Sequence, residues 1–319
     1  MFYGIGGAPI SAQDGATIKL DAAGAVHVSC SITEQGQGTN TIIAQIAADV
    51  LGVDMGKVRV TTGDTSTVPY GGGTWASRGA GIGGEAVLLA SHALKSQILD
   101  VAASILQTTA DTLDITNGVV VSMSDNSERI GLDDLGRIVY YRGNELPPGI
   151  KPELIATRHY RVTDFPFVFT NGAMAAHVEV DIETGFVKVL DFWVVEDCGR
   201  VINPKLVDEQ IRGGVVQGIG GALYEECLYD ADGQLLNATM ADYLVPMASE
   251  MPNIHIAHIE TPTSTSVLGA KGAGEAGTGG APAAILNAVN DALRPLKASI
   301  HQMPMTPERI LKVLYPELL

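Results

Sequence analysis

Aromatic and basic residues are scarce in this chain of 319 residues. Tryptophan, tyrosine and phenylalanine make up only 5% of it, so its interior must be packed mainly from small and aliphatic side chains. Lysine and arginine total 20 against 36 acidic residues, a formal net charge of −16. Because a nucleic-acid-binding surface needs a basic face, this balance argues against nucleic acid as a partner. An anionic small molecule is still admissible, since backbone N–H groups at helix starts bind phosphate without net positive charge.

Sequence features of metal sites, membrane spans and secretion are also absent. The three cysteines, Cys30, Cys198 and Cys227, lack the spacing of a metal site. No run of 18 or more apolar residues occurs, and the N-terminus lacks the basic-then-apolar pattern of a secretion signal. Neither a Ser-His-Asp arrangement nor a glycine loop ending in Gly-Lys-Ser/Thr stands out. We therefore expect reduced thiols, no membrane span and a cytoplasmic protein.

Glycine, by contrast, is abundant, and hydrophobic periodicity predicts a repeated order of elements around it. Residues 16–30 alternate as a hairpin, a glycine loop follows, and residues 39–51 place apolar side chains at helical spacing. A second hairpin at 173–195 is likewise followed by a polar, glycine-containing loop and then a helix at 204–223. Five glycines within that second helix predict the close approach of another backbone or a ligand.

This weak internal duplication predicts an α+β fold of two related lobes, residues 1–160 and 161–319. Helices would pack on mixed sheets, and loops from both lobes would meet at a shared crevice. Residues 1–10 begin abruptly in an apolar, glycine-rich, strand-like run. An ordinary N-terminus is more polar, so the chain is interpreted as a piece of a longer protein or as one subunit of a split protein.

The remaining pattern predicts further elements. A loop rich in Gly, Ser and Thr spans residues 63–84, and the polar residues 123–165 are interpreted as an irregular surface segment. Pro282 suits the first turn of a helix, which predicts a helix start there. Other predicted elements are a long helix at 85–106, a hairpin turning at Asn117-Gly118, a strand at 254–259 and a short helix from Thr306.

One stretch holds a single carboxylate among tiny residues. Lys271-Gly272-Ala273-Gly274-Glu275 lies in a tight loop before the predicted helix. Glycines there either supply positive φ or let a bulky partner approach the backbone. Glu275 is therefore either a capping group at the helix start or a poised general base. Lys271 is either solvated or part of a ligand-binding surface.

Three further glycine–polar loops have similar alternatives. Gln35-Gly36-Gln37-Gly38 offers side-chain amides and bare backbone N–H groups, which suit a heterocycle edge or a phosphate, or else it is a structural turn. The loop from Thr74 to Arg78 offers hydroxyls and a guanidinium for an anion or ribose, or else lies at the surface. Cys198 and Gln217 are ligand contacts, or else a core thiol and an exposed amide. Together the four loops predict a lining for a large, flat, polar, anionic ligand.

These loops, in this order, resemble the C-terminal half of the molybdopterin-binding large subunit of the molybdenum hydroxylases, the xanthine oxidase and aldehyde/carbon monoxide dehydrogenase superfamily. The resemblance covers nearly the whole chain. It rests on Gln-Gly-Gln-Gly, on the loop from Asp64 to Arg78, on Asp-Cys-Gly-Arg-Val-Ile-Asn-Pro with its glycine-rich helix, and on Lys-Gly-Ala-Gly-Glu-Ala-Gly. The last two motifs are quite specific to the family. The resemblance implies a molybdopterin-binding fold of the xanthine oxidase type for both lobes.

The resemblance also implies a base and a set of cofactor contacts. Glu275 matches the family's catalytic base, which lies near molybdenum. The metal would have no direct protein ligand in this chain, because the pterin dithiolene holds it. The cofactor is commonly molybdopterin cytosine dinucleotide in bacteria. The residues implied to contact it are Gln35, Gly36, Gln37, Gly38, Thr39, Thr74, Ala76, Ser77, Arg78, Cys198, Asn203, Gln217, Lys271, Gly272, Ala273 and Gly274.

Some parts of the family's pattern are missing. The Gly-Gly-Gly-Phe-Gly motif and apical Gln of its first molybdenum lobe do not occur, nor does a Cys-rich iron–sulfur or a flavin domain. The chain therefore resembles the molybdenum subunit of a split enzyme of the nicotinate or purine dehydrogenase type, which we expect to be inactive alone. Expected partners are a second molybdenum-lobe subunit, a 2Fe-2S subunit and an FAD subunit.

Two functions follow from the resemblance. The first is a subunit of an enzyme that hydroxylates an N-heterocycle or oxidises an aldehyde with water as the oxygen source. The second is a catalytically silent protein for molybdopterin binding or insertion. Glu275 favours the first, because a silent carrier has no need of a base.

Overall fold

The computed structural model describes residues 2–4, 13–162 and 167–317. Within these ranges the chain forms twelve strands, β1–β12, and six α-helices, α1–α6. The strands are Phe2–Gly4, Gln13–Leu20, Val26–Cys30, Val58–Thr62, Leu113–Thr116, Val119–Ser122, Glu128–Gly131, Ile155–Arg161, Phe167–Phe169, Asn171–Val180, Val187–Asp197 and Asn253–His258. The helices are Thr39–Leu51, Glu85–Leu106, Leu132–Tyr141, Pro204–Leu223, Ala276–Leu293 and Pro307–Leu314. Among these helices, none is both long and apolar enough to cross a membrane.

The chain divides into two compact units. The first contains Tyr3–Val168 and Thr263–Ala270, and the second contains Met1–Phe2, Phe169–Pro262 and Lys271–Leu319. The first unit thus runs past residue 160, the predicted end of the first lobe. That each unit is a cofactor-binding lobe stays a prediction. The strand-like run expected at the N-terminus lies outside the described residues apart from β1.

Glu85, at the start of α2, holds the segment Thr263–Ala270 in the first unit. Its buried carboxylate accepts a hydrogen bond from the Leu268 N–H at 2.5 Å. The Tyr160 hydroxyl donates to the carbonyl of Thr265 at 3.1 Å. Burial raises the pKa of Glu85, and hydrogen bonds from this segment only partly oppose that shift. The segment is therefore tied to the first unit by side chains that are distant in sequence.

The main sheet of the first unit has the strand order β4-β3-β2-β8. The predicted hairpin is confirmed as β2 and β3, with Ala16 opposite Cys30, and β8 pairs antiparallel with the other edge of β2. After α1 the chain returns in β4, parallel to β3. α1 has the predicted bounds, because Gly52 adopts a left-handed conformation (φ +60°) that ends the helix.

The second unit repeats this order of elements. Its sheet runs β10-β11-β12, with β10 antiparallel and β12 parallel to β11. α4 connects β11 to β12 as α1 connects β3 to β4, so the predicted duplication is confirmed as a shared topology. The core between this sheet and its helices consists of the buried residues Val189, Phe192, Val194, Ile211, Val215, Ile219, Ala222, Leu223, Ile254, Ala281, Ile285, Val289, Leu293, Ile300, Met305 and Ile310.

Two of the glycines in α4 let α5 approach closely. A Cβ at Gly218 would lie 2.5 Å from the Cβ of Ala281, and one at Gly214 would lie 3.0 Å from the Cα of Gly277. Each glycine costs a helix about 1 kcal/mol relative to alanine. The predicted compensation by a close backbone is therefore confirmed at these two positions.

The prediction of an irregular segment at 123–165 is wrong. These residues contain β7, α3 and β8. α3 buries Leu132, Leu135 and Val139 on one face, at helical spacing, while charged residues cover its other faces. The high polarity of the segment concealed this periodicity.

The predicted start of α5 at Pro282 is also wrong, because the helix begins at Ala276 and encloses the proline. Residues 276–281 are all Ala, Gly or Thr, so they carry no apolar periodicity that would mark a helix. Similarly, the long loop after β4 ends in a π-helical turn, Gly79–Gly84, that leads into α2. In both places tiny residues form helical backbone that the sequence pattern does not reveal.

Candidate functional site

Two of the predicted loops meet in the first unit. The Thr74 hydroxyl donates to the Thr33 carbonyl at 2.8 Å and accepts from the Thr33 N–H at 2.9 Å, while the Thr74 N–H donates to the Thr33 hydroxyl at 3.2 Å. The Gln35 amide donates to the Thr74 carbonyl at 3.0 Å. The Gln-Gly-Gln-Gly loop and the loop from Thr74 to Arg78 therefore adjoin, as two loops that share one ligand must.

Glu34 organises the Gln-Gly-Gln-Gly loop. One of its carboxylate oxygens accepts from the N–H groups of Gly36 (2.8 Å) and Gly38 (3.0 Å), and the other from that of Asn40 (2.8 Å). Positive φ at the two glycines, +95° and +90°, lets the loop wrap around the carboxylate. Burial opposes ionisation, but the backbone hydrogen bonds outweigh it and lower the pKa of Glu34. The prediction of bare N–H groups is therefore wrong at Gly36 and Gly38.

Other predicted contacts of this loop also have partners within the chain. Gln37 Oε1 accepts from the Gln35 N–H at 2.6 Å, and Gln37 Nε2 donates to the Thr33 carbonyl at 3.3 Å. Thr39 is buried at the start of α1. Gln35 and Gly36 are exposed, and a Cβ at Gly36 would meet nothing within 4 Å. The open space beside Gly36 is therefore the part of this loop that admits a flat ligand.

Arg78 is not available to an external anion. Its fully buried guanidinium forms an ion pair with the equally buried Asp14, with Nη2 2.8 Å from Oδ2. It also donates to the carbonyls of Gly73 and Gln13, each at 2.9 Å, and lies 5.3 Å from the centre of the Trp75 ring. Burial raises the pKa of Asp14, although the charge of Arg78 opposes this shift. The guanidinium is thus part of the core of the first unit, and the implied cofactor contact of Arg78 stays a prediction.

The glycines at 71 and 72 enclose this ion pair. A Cβ at Gly71 would lie 2.2 Å from Oδ1 of Asp14, and one at Gly72 would lie 2.2 Å from Nη1 of Arg78. The Gly72 N–H also donates to Asp14 at 3.1 Å. Packing around a buried ion pair thus explains why side chains are excluded here.

Ala76 and Ser77 both adopt left-handed backbone conformations, with φ +47° and +56°. Residues with a Cβ rarely do so, at a cost of about 1–3 kcal/mol each, and such strain clusters at ligand sites. The observation supports the implied cofactor contact of these two residues, which stays a prediction.

Glu275 stands at the N-cap position of α5 but does not cap the helix with its side chain. Its backbone carbonyl accepts from the Gly279 N–H at 3.2 Å. Its side chain makes no capping hydrogen bond to the first turn and is exposed. Of the two interpretations drawn from the sequence, a capping group and a base, the geometry disfavours the first.

A network of side chains around the buried Asp197 anchors the loop that leads to Glu275. Lys271 Nζ donates to Asp197 at 3.0 Å and to the Thr261 hydroxyl at 2.7 Å, and the Lys271 N–H donates to the Cys198 carbonyl at 2.8 Å. Burial alone would raise the pKa of Asp197, but hydrogen bonds from Thr261 and Lys271 contribute to holding it at about 2. Lys271 is therefore not solvated, and its charge is neutralised within the chain.

The other predicted contacts of the second unit have local partners as well. Asn203 accepts from the Leu206 N–H at 3.1 Å and caps α4, as predicted. Gln217 is exposed, with Oε1 3.0 Å from the Thr278 hydroxyl of α5. Cys198 is buried, and burial raises the pKa of its thiol to about 11, so the thiol is protonated at neutral pH. Whether these residues touch a cofactor stays a prediction.

A cavity of about 470 Å³ lies beside the first turns of α5 in the second unit. Glu196, only 3% exposed, is the one carboxyl in its lining. Burial, reinforced by the neighbouring Asp197, raises the pKa of Glu196 to about 7. The lining is otherwise small or uncharged and consists of Gly172, Met174, Glu196, Ala276, Gly279, Gly280, Ala283, Ala284 and Asn287.

Glu196 makes the stability of the chain depend on pH. Its pKa in the folded chain, about 7, exceeds the ordinary value of 4.5, so its contribution to stability is complete below 4.5 and is lost as the pH rises through 7. We expect Glu196→Gln, which cannot ionise, to gain about 3 kcal/mol in free energy of unfolding relative to the parent chain between pH 5 and pH 8.5. Urea unfolding at both pH values measures this gain. Glu179→Gln, at an exposed position of β10, is the control, and an equal effect of Glu196→Gln at both pH values contradicts the assignment.

Comparison with known proteins identifies the family. Residues 1–252 match a family model described as a molybdopterin cofactor-binding domain. The chain belongs to the molybdopterin-binding domains of the xanthine oxidase family. This domain is 41% identical over 300 residues to the nicotine 6-hydroxylase large subunit of Paenarthrobacter nicotinovorans, covering 94% of the chain and 36% of that protein. It is 33% identical over 301 residues to the carbon monoxide dehydrogenase large chain of Hydrogenophaga pseudoflava, covering 94% and 37%.

Solved structures agree with the sequence relatives. The crystal structure of quinoline 2-oxidoreductase from Pseudomonas putida 86 matches this domain with a TM-score of 0.86 at 40% identity, over 95% of this chain and 38% of that one. The predicted family and the predicted α+β architecture are confirmed. The domain spans little more than a third of the length of these relatives, which are oxidoreductases by name.

Sequence reasoning missed four residues that hold the site together: Asp14, Glu34, Asp197 and Gln210. Two of them had a local signal, because Glu34 directly precedes one predicted loop and Asp197 another, and a carboxylate beside a glycine loop can accept from its N–H groups. Gln210 had a signal as well, because it is the first residue of the glycine-rich helix motif on which the family resemblance rests, whereas Asp14 had none, since its partner Arg78 is distant in sequence.

Proposed function

We propose that this chain is the molybdopterin-binding, base-carrying part of a molybdenum hydroxylase. The enzyme hydroxylates an N-heterocycle, nicotinate-like or purine-like, or oxidises an aldehyde, with water as the oxygen source. The observation that carries this proposal is Glu275, an exposed carboxylate at a helix start that it does not cap. The names of two relatives, nicotine 6-hydroxylase and quinoline 2-oxidoreductase, favour an N-heterocycle over an aldehyde.

The residues present fit the cofactor in three respects. Open space lies beside Gly36, the exposed amide of Gln35 suits the edge of a heterocycle, and left-handed backbone at Ala76 and Ser77 marks a strained ligand loop. When bound, molybdopterin supplies the two-electron redox chemistry of the metal. Its phosphates would be held by polar and backbone groups rather than by Arg78 or Lys271, since Asp14 and Asp197 already neutralise these two cations.

Glu275 acts as a general base in this proposal. Its carboxylate would take up a proton from water as the oxygen bonds to the substrate carbon, while the C–H bond at that carbon breaks and its electron pair goes to the bound cofactor as the two-electron oxidant. Its neighbours Gly274 and Ala276 have small side chains or none, so a substrate can come close to the carboxylate. The anchored Lys271 keeps the loop in place, so little rearrangement is needed when substrate binds.

Further parts of the enzyme come from outside this sequence. The chain spans little more than a third of its relatives, whose names describe them as large subunits or large chains. We infer a second molybdenum-lobe polypeptide, a 2Fe-2S subunit and an FAD subunit as partners, the last two as electron acceptors. We infer that the cofactor is the cytosine dinucleotide form, because a long anionic ligand would contact several glycine–polar loops.

Cofactor content tests this proposal. The chain is purified from its native cells with its partners, molybdenum is measured by mass spectrometry, and the nucleotide is released by acid hydrolysis. We expect molybdenum and cytidine monophosphate in equal amounts. We expect Glu34→Ala to lower both several-fold, because the Gln-Gly-Gln-Gly loop loses the carboxylate that orders its N–H groups. Glu153→Ala, an exposed change in the same unit, is the control, and a parent protein without molybdenum or pterin contradicts the proposal.

A further inference from the structure

Gln210, on the second turn of α4, reaches the backbone next to Glu275. Its Nε2 donates a hydrogen bond of 2.8 Å to the carbonyl of Gly274, a residue 64 positions away in sequence, and the contact is partly buried. This carbonyl belongs to the peptide group that joins Gly274 to Glu275. Rotation of that peptide group redirects the Cα–Cβ bond of Glu275, so the hydrogen bond restrains where the carboxylate points.

The helix turn that carries Gln210 is itself packed tightly against the start of α5. A Cβ at Gly277 would lie 2.2 Å from the carbonyl oxygen of Ile211 and 2.8 Å from the nitrogen of Val215. The two backbones are thus in direct contact one residue after Gln210 and two residues after Glu275. This contact leaves Gln210 and the Gly274 carbonyl little freedom to move apart.

The other end of the loop is fixed independently. The Lys271 N–H donates to the Cys198 carbonyl at 2.8 Å, and the Lys271 side chain is held by Asp197. Between this anchor and α5 lie Gly272, Ala273, Gly274 and Glu275, and the two glycines leave the backbone there least restricted by side chains. The hydrogen bond from Gln210 therefore restrains the part of the loop that directly precedes Glu275.

We propose that Gln210 is a positioning residue that orients the Glu275 carboxylate by holding the Gly274 carbonyl. The inference rests on the proposed function, since Glu275 is the base only there. In this inference Gln210 acts only through the Gly274 carbonyl. Misplacement of a catalytic group by about 1 Å can lower a rate about 10²-fold.

The test replaces the amide in the assembled enzyme. Gln210→Glu keeps the shape but removes the donor, and Gln210→Met keeps the length without a charge. We expect both variants to retain molybdenum and to lower kcat by about 10- to 100-fold, with KM changed less than about twofold. We also expect faster amide hydrogen exchange in peptides covering residues 272–279.

Gln234→Glu is the matched control. Gln234 also donates its amide to a carbonyl, that of Leu235 at 3.2 Å, but in an exposed turn. The inference is overturned if both Gln210 variants keep the kcat and the hydrogen exchange of the parent. It is also overturned if kcat, molybdenum content and thermal stability fall to the same extent, because that result indicates a structural role only. The exchange measurement needs no turnover, so it stands even where Glu275→Gln retains activity and the proposed function fails.

Discussion

We expect Glu275→Gln to lower turnover by about 10³-fold while the molybdenum content of the enzyme stays that of the parent. The amide has nearly the shape of the carboxylate but cannot take up a proton at neutral pH. The side chain does not cap α5, so its replacement removes no capping hydrogen bond and the fold persists. Steady-state kinetics with a heterocyclic substrate, and metal analysis of the same sample, measure both quantities.

A matched control separates this effect from a change of charge at a helix start. Glu308 is exposed in the first turn of α6, and Glu308→Gln makes the same chemical change there. We expect that control to keep full turnover. If Glu275→Gln turns over as fast as the parent with molybdenum bound, Glu275 is not the base.

The alternative of a silent cofactor-binding or insertion protein predicts a different result, in which neither the parent nor the variant turns over substrate although molybdenum is bound. Such a protein binds molybdopterin and needs no base, so its cofactor content would be normal and the substitution harmless. The geometry favours the catalytic function, because an exposed carboxylate at a helix start has no capping role here.

Arg78→Met destabilises the first unit by about 3–5 kcal/mol, which is the usual effect of removing one partner from a buried ion pair. Both Arg78 and Asp14 have side chains that are 0% exposed, so the remaining carboxylate has no access to water. The substitution also removes the hydrogen bonds to the carbonyls of Gly73 and Gln13. Urea unfolding at pH 7 measures the loss.

The double variant and a surface control make this expectation specific. Asp14→Leu combined with Arg78→Met leaves no buried charge, so we expect it to be more stable than Arg78→Met alone. Arg137→Met removes two ion pairs of α3, to Asp133 and Asp134, in which all partners are exposed, and we expect a change below about 1 kcal/mol. Equal effects of Arg78→Met and Arg137→Met contradict the assignment of Arg78 to the core.

Local sequence patterns predicted most of the helices and strands, and they also predicted the two loops that lie next to each other in the first unit. Both hairpins, α1, α2 and α4 follow the expected bounds closely, because their apolar residues repeat at clear periods and glycine or asparagine marks their ends. α3 and the start of α5 were missed. In α3 charged residues conceal the period, and in α5 the first turns contain only Ala, Gly and Thr.

Sequence motifs identified the family and the duplicated order of elements and made Glu275 the candidate base, since these inferences depend on residues near one another in the chain. The tertiary structure decided what each polar group does. In the folded chain, Asp14 neutralises Arg78 and Asp197 neutralises Lys271. Glu34 accepts hydrogen bonds from N–H groups of its own loop. Glu275 lies at a helix start and makes no capping hydrogen bond with its side chain. A charged side chain can bind a ligand only if no residue distant in sequence pairs with it in the folded chain. Such pairing is necessary where the side chain is buried, because an unpaired buried charge is costly.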